Sequence, residues 1–288
     1  MNPRSNNKSE LTLNGRSLNF APPLLKPRPS DSHKGLFGHV LVVGGDHGFG
    51  GAVMMAGEAA LLSGAGRVTV ATRQRHVAAV LTRCPEIMAL GIESGDEIQD
   101  ILSEVSVLVV GPGLGRSEWS QGLLRLCLQR EIPTVVDADA LNLLAHDRAS
   151  QALDYPMRFD HCVLTPHPTE AARLLQVDTK DVQSNRPAAA QELQKRYGGV
   201  FVRKGKGSLV ACPTGFARCD LGNPAMSTAG MGDVLSGVIA ALISQGLPLK
   251  DAAELAVWAH ARAGDLAAEV LGRHIRATEL FPYLRKLW

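Results

Sequence analysis

The strongest constraint on this chain is the regular return of short apolar runs that stop at glycine or polar loops and hand over to helical stretches. His39–Val43 stops at Gly44-Gly45, and Val105–Val110 stops at Gly111-Pro112-Gly113-Leu114-Gly115. Pro133–Val136 runs into Asp137, Cys162–Leu164 into Thr165, and Val200–Val202 into Arg203 and Lys204. Arg67–Ala71 and a run near Ile87–Leu90 are of the same kind. Runs this short and this apolar suit strands covered on both faces. Helical stretches fill the gaps: Ala52 to about Ser63, one with Val77, Val80 and Leu81 on a face, Glu118–Gln129, and one carrying Ala171, Leu174 and Leu175. A further helix is expected to open at Ser184 and run through Gln191, Leu193 and Tyr197. Alternation of this sort predicts an α/β fold, a mostly parallel sheet with helices on both faces. Leu209–Cys212 and Phe216–Cys219, joined by Pro213-Thr214-Gly215, read as a hairpin. The Ala-rich stretch Asp251–Leu271 and a last segment ending near Trp288 read as helices.

Composition removes several classes of function. Thirty basic and 28 acidic residues leave a formal charge of +2, without the basic excess of a nucleic-acid binder. No apolar run approaches the roughly 18 residues of a membrane span. Met1–Glu10 is polar and lacks the apolar core of a secretory leader. The five cysteines, Cys84, Cys127, Cys162, Cys212 and Cys219, are scattered with no CxxC pair, which fits buried reduced thiols in a cytoplasmic protein. Residues 1–34 are polar and carry Pro22, Pro23, Pro27 and Pro29, so an N-terminal arm is expected there and the domain proper at 35–288.

In sheets of this kind ligands bind where the strands end. Gly44-Gly45-Asp46-His47-Gly48-Phe49-Gly50-Gly51-Ala52 presents backbone N–H groups between a strand and a helix. It is not a P-loop, since no Gly-Lys-Ser/Thr closes it, and Val53 spoils the dinucleotide fingerprint. The 111–115 loop fails the same pattern at Arg116. Both fit close backbone approach to a ligand, or close helix–strand packing. Asp137 and Asp139 fit metal or substrate binding, or helix capping by Asp139. His167, between Pro166 and Pro168, has its backbone held extended. Glu170 fits a site role or a helix-dipole role. Lys204-Gly205-Lys206-Gly207-Ser208 fits a corner around a nucleotide phosphate or a solvated basic turn. Gly222–Gly237 passes from a loop of small residues into an apolar helix from Val234, with Gly230, Gly232 and Asp233 at the junction. Such a junction offers unpaired N–H groups to an anion. Asp233 there is either a base or an acid favoured by the helix dipole.

Assembled in this order, these motifs resemble the ribokinase-like superfamily and, more narrowly, the ADP-dependent NAD(P)H-hydrate dehydratases. The resemblance spans roughly residues 30–275 and rests on Gly44–Gly48 with Gly51-Ala52, Gly111–Gly115, Val136–Asn142, Thr165–Glu170 and Ala229–Asp233. It implies a three-layer α/β/α sandwich and repair of hydrated nicotinamide cofactors: the S epimer of NADH hydrate or NADPH hydrate is dehydrated with ADP as co-substrate. It implies that Ala52, Gly113, His167 and Asp233 bind the hydrate, that Lys204, Gly205, Lys206, Gly207, Ser208 and Gly232 bind the nucleotide, and that Glu170 orders Mg2+ through water. Asp233, with Gly230 and Gly232, is the expected catalytic group: it takes a proton as the ring hydroxyl is phosphorylated, after which phosphate leaves. Met231 stands where the family often has Thr or Ala, a change the backbone amides should tolerate. Relatives often carry a fused epimerase domain, for which this length leaves no room, so epimerase activity is expected on another chain. A homo-oligomer, as a tetramer, is also implied; no nucleic-acid or membrane partner is. The rival functions are a kinase of the same fold acting on a small alcohol or vitamin precursor, and a non-catalytic nucleotide sensor.

Overall fold

A computed structural model of the chain describes residues 16–18, 25, 27–150 and 158–288. Met1–Glu10, Pro22 and Pro23, and with them much of the expected arm, lie outside the described residues. Ten strands form one sheet: β1 Arg16–Ser17, β2 His39–Val43, β3 Arg67–Thr72, β4 Met88–Gly91, β5 Val107–Val110, β6 Thr134–Val136, β7 Cys162–Leu164, β8 Val200–Arg203, β9 Ser208–Cys212 and β10 Gly215–Cys219. Their order is β1-β10-β9-β8-β7-β6-β5-β2-β3-β4. Every pairing is parallel except the two made by β9, so the hairpin expected from Pro213-Thr214-Gly215 is present inside an otherwise parallel sheet. Arg16 and Ser17 pair with Ala217 and Arg218, which makes part of the expected arm an edge strand.

The α-helices are α1 Gly50–Leu62, α2 Val77–Arg83, α3 Gln99–Leu102, α4 Glu118–Leu128, α5 Ala138–Ser150, α6 Pro168–Leu175, α7 Thr179–Ser184, α8 Arg186–Tyr197, α9 Met231–Ser244, α10 Leu249–Leu271 and α11 Phe281–Leu284. Strand residues alternate between faces. Val40 and Val42 point into a core shared with α1, α9 and α10, while Leu41 and Val43 point into a core shared with α4, α5, α6 and α8. The result is the three-layer sandwich.

One element differs from the sequence reading. Ser184 does not open a helix; it closes α7. Asn185 opens α8, its side-chain oxygen accepting from the Ala188 N–H at 3.2 Å, with Pro187 in the first turn. Asn is a strong N-cap, and proline suits a first turn whose N–H groups have no helical partner. Of the cysteines, four are buried and Cys212 is partly exposed; all five are free thiols. Among the described residues no helix is long and apolar enough to cross a membrane.

Two features of the fold position the site. Beyond β2 the chain winds towards β4, and beyond β5 it winds the opposite way towards β8, so the β2–β5 pair is the switch point where a crevice opens. Next to it, α1 and α9 pack backbone to backbone: a Cβ on Gly237 would lie 2.1 Å from the Ala56 carbonyl oxygen. Gly237→Val is therefore expected to destabilise the protein by about 1–3 kcal/mol or more, because neither backbone can move aside without dragging its helix. The midpoint of urea unfolding measures it, and an unchanged midpoint would contradict the packing.

Candidate active site

The two glycine loops at the switch point are sewn together. Gly45 N–H donates to the Pro112 carbonyl at 3.0 Å and Asp46 N–H to the Gly113 carbonyl at 2.7 Å. Asp46 is buried, and its carboxylate accepts from Arg73 Nε at 2.8 Å and from Ser117 Oγ at 2.9 Å. Burial works to raise the Asp46 carboxyl, but hydrogen bonds from Arg73, the His47 backbone and Ser117 outweigh it and hold it below its ordinary value. The Arg73 guanidinium also lies 4.0 Å from the centre of the Trp119 ring. Gly113 needs to be glycine: its φ is +57°, and a Cβ there would sit 2.6 Å from the Phe49 carbonyl oxygen and 3.1 Å from the Ala52 Cβ. The structure thus brings Ala52 and Gly113 side by side, as two residues of one crevice need to be.

The exits of β6, β7 and β8 supply the charged centre. Asp137 is 1% exposed. Its carboxylate accepts from Lys204 Nζ at 2.6 Å and from Ser236 Oγ of α9 at 2.8 Å. Burial alone would neutralise Asp137, yet the charge of Lys204 and hydrogen bonds from Lys204, Thr165 and Ser236 hold its carboxyl below the ordinary range. Lys204 answers in kind: burial disfavours its charge, while Asp137 and then Glu170 raise its pKa. Ala138, just beyond, holds a left-handed φ of 48°, and Asp139 turns back to accept the Gly115 N–H at 3.0 Å. Asp139 therefore steadies the second glycine loop, and its carboxylate serves that loop instead of the helix-capping role considered for it.

His167 is the N-cap of α6. Its Nδ1 accepts the N–H groups of Thr169 and Glu170 at 3.1 and 3.3 Å, and its own N–H donates to Glu170 Oε2 at 2.8 Å. Accepting at Nδ1 leaves the ring proton on Nε2, which faces Glu170 Oε1 at 3.2 Å. Burial and Lys204 lower the His167 pKa, in keeping with a neutral ring. The ring is thus aimed by a capping box as well as by its flanking prolines.

Gly230 caps α9 with φ 92° and no side-chain hydrogen bond. As the first three residues of a helix, Met231, Gly232 and Asp233 have no helical acceptor for their N–H groups. Met231 packs its side chain into the core. A Cβ on Gly232 would lie 3.0 Å from Lys204 Nζ and 3.5 Å from Asp137 Oδ2, and one on Gly230 would lie 2.5 Å from Met55 Sδ in α1. The start of α9 is therefore wedged between the Lys204–Asp137 pair and the first turns of α1. Burial, reinforced by Asp137, pushes the Asp233 carboxyl up to about 7 against the pull of Lys204. Burial and Asp137 push Glu170 up to about 7 as well. Three acids around one ammonium cannot all ionise cheaply, so two of them hold protons near neutrality.

The expected nucleotide residues divide. Lys204 faces inward to the acids, whereas Gly205 and Lys206 are exposed beyond it. Arg186 holds that loop by donating to the carbonyls of Lys206 and Gly207, and Ser208 Oγ donates to the Gly205 carbonyl at 3.0 Å. Among the described residues no cluster of three or more His, Cys, Asp or Glu could cage a metal ion. Both oxygens of Glu170 already face His167, a donor set suited to Mg2+ held mainly by substrate phosphates and water. Asp137 is the central residue, which the sequence reading offered beside Asp139 for metal or substrate binding without giving it a partner or a role of its own. Its signal was there: an acid directly after a buried strand, with a lone buried Ser236 one helical turn from Asp233.

A family model described as NAD(P)H-hydrate dehydratase matches residues 40–286. The bifunctional NAD(P)H-hydrate repair enzyme Nnr of Coxiella burnetii is 48% identical over 92% of this chain and 53% of its own length. The ADP-dependent (S)-NAD(P)H-hydrate dehydratase of Neisseria meningitidis is 39% identical over 92% of this chain and 90% of its own. The chain spans about half the length of the bifunctional relatives it matches. A ribokinase-like superfamily protein from Enterococcus faecalis superposes with a TM-score of 0.82 at 31% identity, over 91% of this chain and 90% of the other. The ADP/ATP-dependent NAD(P)H-hydrate dehydratase from Bacillus subtilis, co-crystallized with ATP/Mg2+, superposes with a TM-score of 0.80 at 28% identity, over 92% and 93%. The sandwich is therefore ribokinase-like, as the motifs implied.

Two outcomes follow for stability. Lys204→Met leaves Asp137 buried without its cation and should cost about 3–5 kcal/mol, read from the unfolding midpoint. Asp233 has a folded pKa above its unfolded one, so the folded state holds the extra proton and stability drains away as pH rises from about 4 to about 7. Asp233→Asn should then melt higher than wild type at about pH 8, with the gain gone near pH 4.

Proposed function

This chain belongs to the NAD(P)H-hydrate dehydratase family, and we propose that it dehydrates the S epimer of NAD(P)H hydrate with ADP, returning NADH or NADPH and releasing AMP and phosphate. The observation that carries the reading is Asp233: a half-buried carboxyl raised to about 7, at the start of a helix with free N–H groups, beside Lys204.

Hydroxide is a poor leaving group, so the ring hydroxyl must first become a better one. Its oxygen attacks the β-phosphorus of ADP, Asp233 takes the hydroxyl proton, and AMP departs. The ring-nitrogen lone pair then expels phosphate as the C–O bond breaks, and loss of a proton from the adjacent ring carbon to solvent restores the double bond. A carboxyl poised near neutrality suits the first proton transfer. The N–H groups of Met231, Gly232 and Asp233 are placed to meet charge building up on the phosphoryl oxygens. Ala52, Gly113 and neutral His167 line the side on which the ring lies, and Gly205–Ser208 with Gly232 hold the nucleotide. Mg2+, when bound, neutralises phosphate charge and orients the diphosphate; Glu170 holds its water shell. The repair domain on this reading is 35–288, acting in the cytoplasm as a homotetramer.

The test incubates the protein with ADP, Mg2+ and NADH hydrate and follows the reduced-nicotinamide band near ~340 nm. Recovery of the band supports repair. No recovery, with an alcohol phosphorylated from ATP instead, supports a kinase; tight ADP binding with no turnover supports a sensor. Asp233→Asn should lose about 10²–10⁴-fold in rate while still binding ADP. In the wild type, kcat/KM should fall as pH drops below about 7, where Asp233 is protonated; a flat profile down to about pH 5 would remove Asp233 as the base.

A further inference from the structure

The least compensated charge in the described structure lies behind the loop after β8. Arg203 is fully buried. Only Nη2 of its guanidinium has partners, the Gln183 Oε1 at 2.9 Å and the Val182 carbonyl at 3.4 Å; Nε and Nη1 are buried with none. Neither partner is an anion. Arg203 and Lys204, being successive residues at a strand end, point opposite ways: Lys204 meets the acids, and Arg203 meets α7.

Arg203 is not alone. Arg186, at the start of α8, donates to the Lys206 and Gly207 carbonyls, and its own Nε is buried without a partner. A Cβ on Gly207 would lie 3.1 Å from Arg218 Nε and 3.1 Å from Asp220 Oδ1. Asp220 is paired with Arg218 at 2.7 Å. Arg186 and Arg218 thus flank Gly205–Ser208, which carries Lys206, and Arg203 lies within the field of Arg186 behind them, with Asp220 the carboxylate beside the loop. Burial and mutual repulsion lower the pKa of both Arg186 and Arg203, yet a guanidinium stays charged in a protein. A buried cation without a counter-ion is costly, and the cost falls when an anion arrives nearby in the same low-dielectric surroundings.

We propose that Arg186 and Arg218, backed by Arg203, form a cationic shell at Gly205–Ser208 that selects a polyphosphorylated nucleotide, their positive charge being balanced by the phosphates of a nucleoside diphosphate. The inference rests on the nucleotide reading of this loop and adds what sets its preference for phosphate charge. Arg186 and Arg218 flank the loop; Arg203 backs it from the core and acts through its field.

Arg203→Met, of similar length and without charge, tests it. The variant should melt higher than wild type without ligand, because an uncompensated buried charge is gone, and should bind ADP about tenfold more weakly. AMP, with less phosphate charge, should lose less, so the ratio of ADP to AMP affinity falls. Arg218→Gln, at an exposed side chain paired with Asp220, should lower the same ratio. Both affinities are read by calorimetry on the full chain. An unchanged ratio in both variants overturns the inference, as does an equal loss for ADP and AMP, which would mean only that the loop had lost its shape. Should wild-type protein bind neither nucleotide, the nucleotide reading itself falls and this inference with it.

Discussion

The site depends on one buried ion pair, Lys204 with Asp137. The pair joins the exits of β8 and β6, and Ser236 ties it to α9, so a single carboxylate holds two strand ends and a helix in register. It also sets the charge of everything nearby. Lys204 spends most of its field on Asp137, which stays ionised, and what remains is too little to ionise Glu170 and Asp233 fully. Two carboxyls poised near neutrality result from one ammonium shared among three acids. The same logic explains why His167 is neutral. Its Nδ1 already caps a helix, and the nearby ammonium disfavours a second positive charge.

Much of the architecture was legible in the sequence because buried parallel strands advertise themselves. His39–Val43 and Cys162–Leu164 stand in the structure with the bounds their apolar runs suggest. The helix expected to open at Ser184 opens at Arg186 instead, because Asn185 caps it, and the short α7 before it went unread because Val182 is its one buried residue. The site was legible as a set of loops but not as a network. Asp137 looked like one of two acids of equal standing, and nothing in the spacing said that its partner lay 67 residues away. Asp139 looked like a cap and proves to brace Gly115. Lys204 read as part of a phosphate corner, and its pairing with Asp137 was not legible there. Long-range pairs of this sort have no local signature, because each partner alone resembles an ordinary capping or surface residue.

The two glycine loops show a second division of labour. Their backbones approach each other too closely for a side chain at Gly113, as its contact with the Phe49 carbonyl shows. Rigidity comes from the next layer out, where Asp46 is gripped by Arg73 and Ser117 under the Trp119 ring. A loop made of glycine is floppy by composition; here it is stiffened by neighbours that never face the crevice.

The contact between Gly237 and Ala56 reaches further than packing. Because α1 and α9 touch backbone to backbone, the turn that carries Ala52 and the turn that carries Asp233 sit at the ends of one welded unit. They act as the two jaws of a caliper locked at a single setting. A ligand spanning them is gauged by its length, and any opening that admits it must come from the other walls of the crevice, the segments after β7 and β8.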